Sequence, residues 1–147
     1  MDFLKRYHEW IPALVIVIIL AGSLPYKFSG PPITVHIFNV VGEFLGLDFF
    51  KTSGAYIIGF AELVASILVL IPSARGYGGV LAMGIMAGAI SFHLFSPLGV
   101  TVVYMENGVQ MTDGTLFYTA VLTFFCGTYL AYRHKESLPV VGSMFVK

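Results

Sequence analysis

Apolar residues in this chain come in four continuous runs, not in the alternating pattern of half-buried strands. The first spans Ile11 to Tyr26. The second spans Gly54 to Ile71 and stops at Pro72. The third covers Gly76 to Phe95, with Pro97 just beyond, and the fourth covers Thr115 to Tyr132 before Arg133-His134-Lys135. Crossing a bilayer takes about 20 residues of helix at about 1.5 Å rise each, and the runs are of that order. Membrane β-barrels need alternating segments of about 10 residues, so helices are left as the way to satisfy backbone groups in lipid. The pattern predicts an all-α fold: one transmembrane domain over residues 1–147, built as an integral membrane four-helix bundle. Pro12 suits the first turn of helix one, where a missing N–H costs nothing.

Two connections carry structure of their own. After Pro31-Pro32, the segment Ile33 to Leu47 places His36, Asn39 and Glu43 at helical spacing among apolar residues. That predicts an amphipathic helix between helices one and two, lying on the outer membrane face or on the bundle top. Between helices three and four, Val100 to Glu106 and Val109 to Thr112 flank Asn107-Gly108. Asn-Gly favours a type I′ turn, in which both central residues need positive φ, so a short β-hairpin is expected. A lone hairpin is marginal in water and must pack on its own bundle or on a partner. His36, Asn39, Glu43, Asn107 and Gly108 are the candidate outer-surface partner contacts. Thr112 or Asp113 is expected to cap helix four.

Composition agrees with the pattern. Of 147 residues 57% are hydrophobic and 11% charged, against roughly 25% charged in soluble domains, and mean hydropathy is +0.86. Zero formal net charge argues against a nucleic-acid partner, which needs clustered Lys and Arg. The apolar content argues against disorder. A single cysteine, Cys126, leaves no internal disulfide, thiol zinc cluster or redox pair. Lys5, Arg6 and Ala21-Gly22-Ser23 resemble parts of a cleavable leader, but the segment is expected to be a retained helix. Lys5, Arg6, Arg75, Arg133, Lys135 and Lys147 fall on one side of the four spans, and Lys27 and Lys51 on the other. The positive-inside rule then puts both termini in the cytoplasm of a bacterial-type inner membrane. With Asp2, Glu9 and Glu136 counted, the cytoplasmic side balances at +3 and the outer side at −2, leaving Glu62 inside.

Glu62 is the most informative residue. A carboxylate near the middle of a span costs about 2.5–3.5 kcal/mol even on the lenient scale, so it should face inward and be paired or protonated. Ala55, Gly59, Ser66 and Ser73 share its helical face, and Gly59 and Ser66 allow close packing. Glu62 reads either as a proton- or quinone-interacting acid or as a buried acid fixing helix register. Lys27 is its expected partner, with snorkelling to the headgroups as the alternative. His93, near the outer end of helix three, reads as a hydrogen-bonded interface histidine or as a proton relay or quinone-carbonyl donor. No second His or Cys lies at i±3 or i±4, so no metal site is expected. Gly84 and Gly88 form Gly-x-x-x-Gly, which reads as a helix-packing seam within the chain, with dimerisation as the alternative. Cys126 reads as a small core or lipid-facing residue, and Tyr118, Phe125, Tyr129 and Tyr132 as a core-packing stripe, with an aromatic wall for a flat ligand as the alternative.

The stretch from Gly54 through Glu62 to Pro72, then Arg75-Gly76 and the glycine-rich helix to Phe92-His93-Leu94, resembles the DoxX family. So does Lys27 at the end of helix one, followed by proline-rich and amphipathic sequence. The likeness covers about residues 11–132. The small-Gly pair usual before the helix-one lysine is replaced here by Leu24-Pro25-Tyr26. The resemblance implies a small four-helix inner-membrane protein similar to the membrane subunit of thiosulfate:quinone oxidoreductase or tied to related redox complexes. The leading expectation is an accessory or quinone-facing subunit of a membrane oxidoreductase. It would have no intrinsic cofactor, quinone or lipid as its ligand, and other membrane subunits or its own copies as partners. A structural or assembly subunit is the second expectation, and a small-solute or proton carrier the third. No nucleophile–base constellation or phosphate-binding glycine loop argues for an enzyme acting alone.

Overall fold

The computed structural model describes residues 7–145; Asp2, Lys5, Arg6 and Lys147 lie outside the described residues. The fold is 77% helical with one two-stranded hairpin. Its elements are α1 (Trp10–Ser29), α2 (Pro32–Leu45), α3 (Asp48–Leu70), α4 (Arg75–Phe95), β1 (Val102–Glu106), β2 (Val109–Asp113) and α5 (Thr115–Arg133). A short 3₁₀ turn (Lys135–Ser137) and α6 (Pro139–Phe145) follow. Among the described residues α1, α3, α4 and α5 are long and apolar enough to cross a membrane.

The helix ends differ from the expected ones for local reasons. α1 runs through Pro25 to Ser29 and stops at Gly30, whose φ of 66° lets its N–H return to Tyr26 O. The proline removes one backbone bond, which costs less than leaving the whole following turn unpaired. α3 begins at Asp48 instead of Gly54, because Asp48 suits the positive end of the helix dipole and pairs with Lys51 at 3.0 Å. At its other end α3 stops at Leu70. Ser73 therefore falls in the exposed turn before α4 and does not share the face of Glu62.

The four long helices touch in cyclic order: α1 on α3, α3 on α4, α4 on α5 and α5 on α1. Ile16, Leu20, Val69, Met86 and Leu130 form the buried core between them. Closest approach occurs toward the end of the helices that carries the termini. A Cβ on Gly79 would stand 2.8 Å from Gly127 O, and one on Gly78 would stand 2.6 Å from Val69 N. These glycines form the seam, together with Gly127. Gly84 and Gly88 do not, since a Cβ on either would meet nothing within 4 Å. The spacing motif is correct as a pattern, but it lies above the level where the helices converge.

At the opposite end α2 buries Thr34, Phe38, Val41 and Gly42, and leaves Asn39 and Glu43 exposed, as its period predicts. Phe38 packs where Gly54 of α3 has no side chain, and Phe44 meets the Phe92 ring of α4 edge-on at 6.3 Å. β1 and β2 pair antiparallel from Val102↔Asp113 to Glu106↔Val109. Asn107 and Gly108 take φ of 52° and 78°, the two positive values a type I′ turn needs. The hairpin rests on α2 through β1, where Val102 is fully buried beside Val41 and Leu98. Asp113 accepts the backbone N–H of Thr115 at 2.7 Å and so caps α5.

Candidate functional site

Above the glycine seam the helices enclose a cavity of ≈ 560 Å³, mostly apolar, into which Lys27, Glu62 and His93 all project. That size is typical of small-molecule sites. Lys27 Nζ lies 2.8 Å from Glu62 Oε2 and donates to Ser23 Oγ at 3.0 Å. Ser23 Oγ in turn donates to the same Oε2 at 2.9 Å. Glu62 is 3% exposed, so an unpaired charge there would be costly. Both of its partners sit on Oε2, which leaves Oε1 for a group in the cavity. Ser66 donates to the Glu62 backbone carbonyl at 2.8 Å. Gly59 lets Lys27 in: a Cβ there would meet Lys27 Cβ at 3.2 Å and Phe28 at 3.1 Å.

His93 is buried and serves a different part of the wall. Its Nδ1 is 2.6 Å from Gly99 O. A carbonyl only accepts, so Nδ1 carries the proton in this contact. Phe117 holds the ring edge-on at 5.8 Å. Gly78 and Val69 touch and so mark a common level. Counting rise from there puts His93 about 12 Å above Glu62 along the helices. One small head group cannot meet both. His93 pins the 96–101 loop over the hairpin end of the cavity, near Asp113 and Thr119, while Lys27, Ser23 and Glu62 form its polar floor.

The remaining candidates lie elsewhere. His36 and Asn39 flank a shallow dent with Gly30 and Met105, Glu43 reaches Lys51 at 3.7 Å, and Asn107 and Gly108 are exposed at the turn. Among the described residues no three His, Cys, Asp or Glu side chains are grouped to hold a metal ion.

Two features escape a reading of the sequence by spans. Ser23 is one helical turn before Lys27 on α1, and that i,i+4 spacing is the signal that would have found it. The second is a knot of charge at the terminal end. Glu9 Oε2 lies 3.1 Å from His134 Nε2 and 3.5 Å from Arg75 Nη1; Oε1 lies 3.4 Å from Arg133 Nε. Burial alone would push the Glu9 carboxyl up, but the hydrogen bonds and charges of His134 and Arg133 outweigh it and hold it below its ordinary value. Arg75 is 3% exposed, donates Nε–H to Val69 O at 2.8 Å and lies 4.3 Å over the Trp10 ring. The knot ties α1, α4 and α5 together where their apolar spans end. No family model, curated protein or solved structure matches the chain.

Proposed function

We propose that this is a DoxX-like integral membrane protein, a four-helix bundle with both termini in the cytoplasm of a bacterial-type inner membrane. In this reading its cavity faces a quinone, and the protein is an accessory subunit of a membrane oxidoreductase. Support for insertion comes from the outward faces: Ile11, Ile18, Phe60, Phe95, Tyr118, Phe125 and Tyr132 are all exposed, far more apolar surface than a soluble protein tolerates. The observation that carries the ligand reading is the pairing of an apolar cavity with a buried ammonium–carboxylate floor. Such a floor offers a donor and an acceptor to a carbonyl or hydroxyl on an otherwise apolar ring, and the walls suit a prenyl tail. Electrons would come from a partner subunit. Mass spectrometry of the protein extracted with its native lipid tests this. Co-purifying quinone, depleted in Glu62→Gln and Lys27→Met, is expected; wild-type protein free of quinone and of any partner subunit would overturn it.

A second reading, a structural subunit docking a larger complex, draws on the hairpin. Val103 and Met105 are exposed there on the face opposite the buried Val102, a face suited to a partner. In that case a partner is retained by Glu62→Gln and lost on replacing Val103 and Met105 by Ser.

A further inference from the structure

The geometry points to a side entrance: the ligand of the cavity enters laterally from the lipid, between α3 and α4, over the bare backbone of Gly84 and Gly88. This deepens the reading of the cavity as a site for a lipid-soluble molecule and rests on it. Gly84 and Gly88 line the cavity, yet Gly84 is also exposed on the outside of α4. The cavity therefore reaches the surface there.

Which gap it opens into follows from the helix faces. α4 meets α5 through Gly79 and Met83 at the terminal end and through His93, against Phe117, at the other, so that groove is closed at both ends, and these two helices share the most extensive contact in the fold. On its other flank α4 meets α3 at Gly78, against Leu68 and Val69. At about 100° per residue, Ile85, Ala89 and Phe92 continue that α3-facing flank toward the hairpin. They line the cavity, while Ile85 and Ala89 also border the core. The cavity thus reaches the α3-facing flank of α4 above Gly78, with Gly84 and Gly88 at its edge. α2 packs on α3 beside it and touches Phe92 of α4.

The same element closes the aqueous route. Ile37, Phe38 and Val41 of α2, with Leu98, roof the hairpin end of the cavity. Ile58 and Glu62 of α3 line the same cavity, so a molecule passing over the glycines meets the floor carboxylate, whose hydrogen bond from Ser23 and closest ion-pair contact with Lys27 both fall on Oε2. The class of ligand that such an entrance admits is flat and lipid-soluble, with a small polar head. The glycines make the route by leaving off their side chains, and a methyl group at either position meets no atom within 4 Å.

The test measures association of decylubiquinone with the protein in lipid nanodiscs, for wild type and for Ala, Val and Leu at Gly84 and Gly88. Val80→Leu, on the same outer stripe but off the cavity, is the control. Association should slow with side-chain size, by about tenfold or more in the double Leu variant, with no loss of melting temperature and an unaffected control. Equal rates in all variants overturn the side entrance while leaving the cavity reading intact. No binding to wild type overturns both. Where a Leu variant misfolds, the Ala variants carry the comparison.

Discussion

Lys27 turns back along its own helix to meet Glu62, Nζ to Oε2 at 2.8 Å. Its Cβ is level with Gly59, three residues and so about 4.5 Å above Glu62, which the lysine stem spans easily. The two partners are not equivalent. A lysine left alone can swing toward the hairpin end, whereas Glu62 left alone stays buried. Lys27→Met is therefore expected to cost about 3–5 kcal/mol. Glu62→Gln, which keeps a hydrogen-bonding side chain, should cost about 1 kcal/mol. Thermal or denaturant melts in one detergent would show the asymmetry; equal losses would count against it.

The glycines divide into two classes by what surrounds them. Gly79→Ala or Gly127→Ala drives a Cβ against the facing backbone at 2.8 Å, so α4 and α5 must separate, and a loss of about 2 kcal/mol or more is expected. Gly84→Ala and Gly88→Ala meet open space and should gain about 0.5–1 kcal/mol from helix propensity. Melting temperatures of the four variants should fall on opposite sides of wild type.

Glu9 sets an acid limit. Its folded-state carboxyl is held below its ordinary value by His134 and Arg133. A group depressed on folding stabilises above its unfolded pKa, and that stability is lost as pH falls through the folded one. Wild type should therefore lose melting temperature below about pH 5 more steeply than Glu9→Gln, which starts lower and lacks this contribution. Parallel pH curves would remove Glu9 as the cause.

His93 should carry a proton on Nδ1. Its ring donates to Gly99 O at 2.6 Å, so ¹⁵N spectra of labelled histidine should give a protonated Nδ1. His93→Phe should speed amide exchange in the 96–101 loop; unchanged exchange would mean that the loop is held by Ser96 and its neighbours.

The parts of the fold legible in the sequence are those fixed by local chemistry. Asn107-Gly108 dictates its turn, the His36–Asn39–Glu43 period dictates which side of α2 faces out, and the four apolar runs mark the long helices. Local pattern is weaker at helix ends, where α1 continues past Tyr26 to Ser29 and Asp48 starts α3 ahead of its apolar run. It fails where the answer lies across the fold. Gly84 and Gly88 carry the packing motif, but the close approach occurs at Gly79 and Gly127 because the helices converge only there. Glu9 and His134 meet across 125 positions of chain, and nothing near either residue announces the other. Lys27 and Glu62 are readable as candidates because isolated charges in apolar runs demand an explanation; Ser23, small and unremarkable in composition, is not.

The inward reach of Lys27 alters what the hairpin end presents to its surroundings. With that ammonium taken up by Glu62, Lys51 is the other lysine there, and it is held by Asp48 and Glu43. Glu43, Asp48, Glu106 and Asp113 then outweigh it. The molecule is electrically neutral as a whole and yet net negative at this face, an acidic cap that draws in cations and basic surfaces and repels phosphate. That attraction fades with added salt over a Debye length of about 8–10 Å.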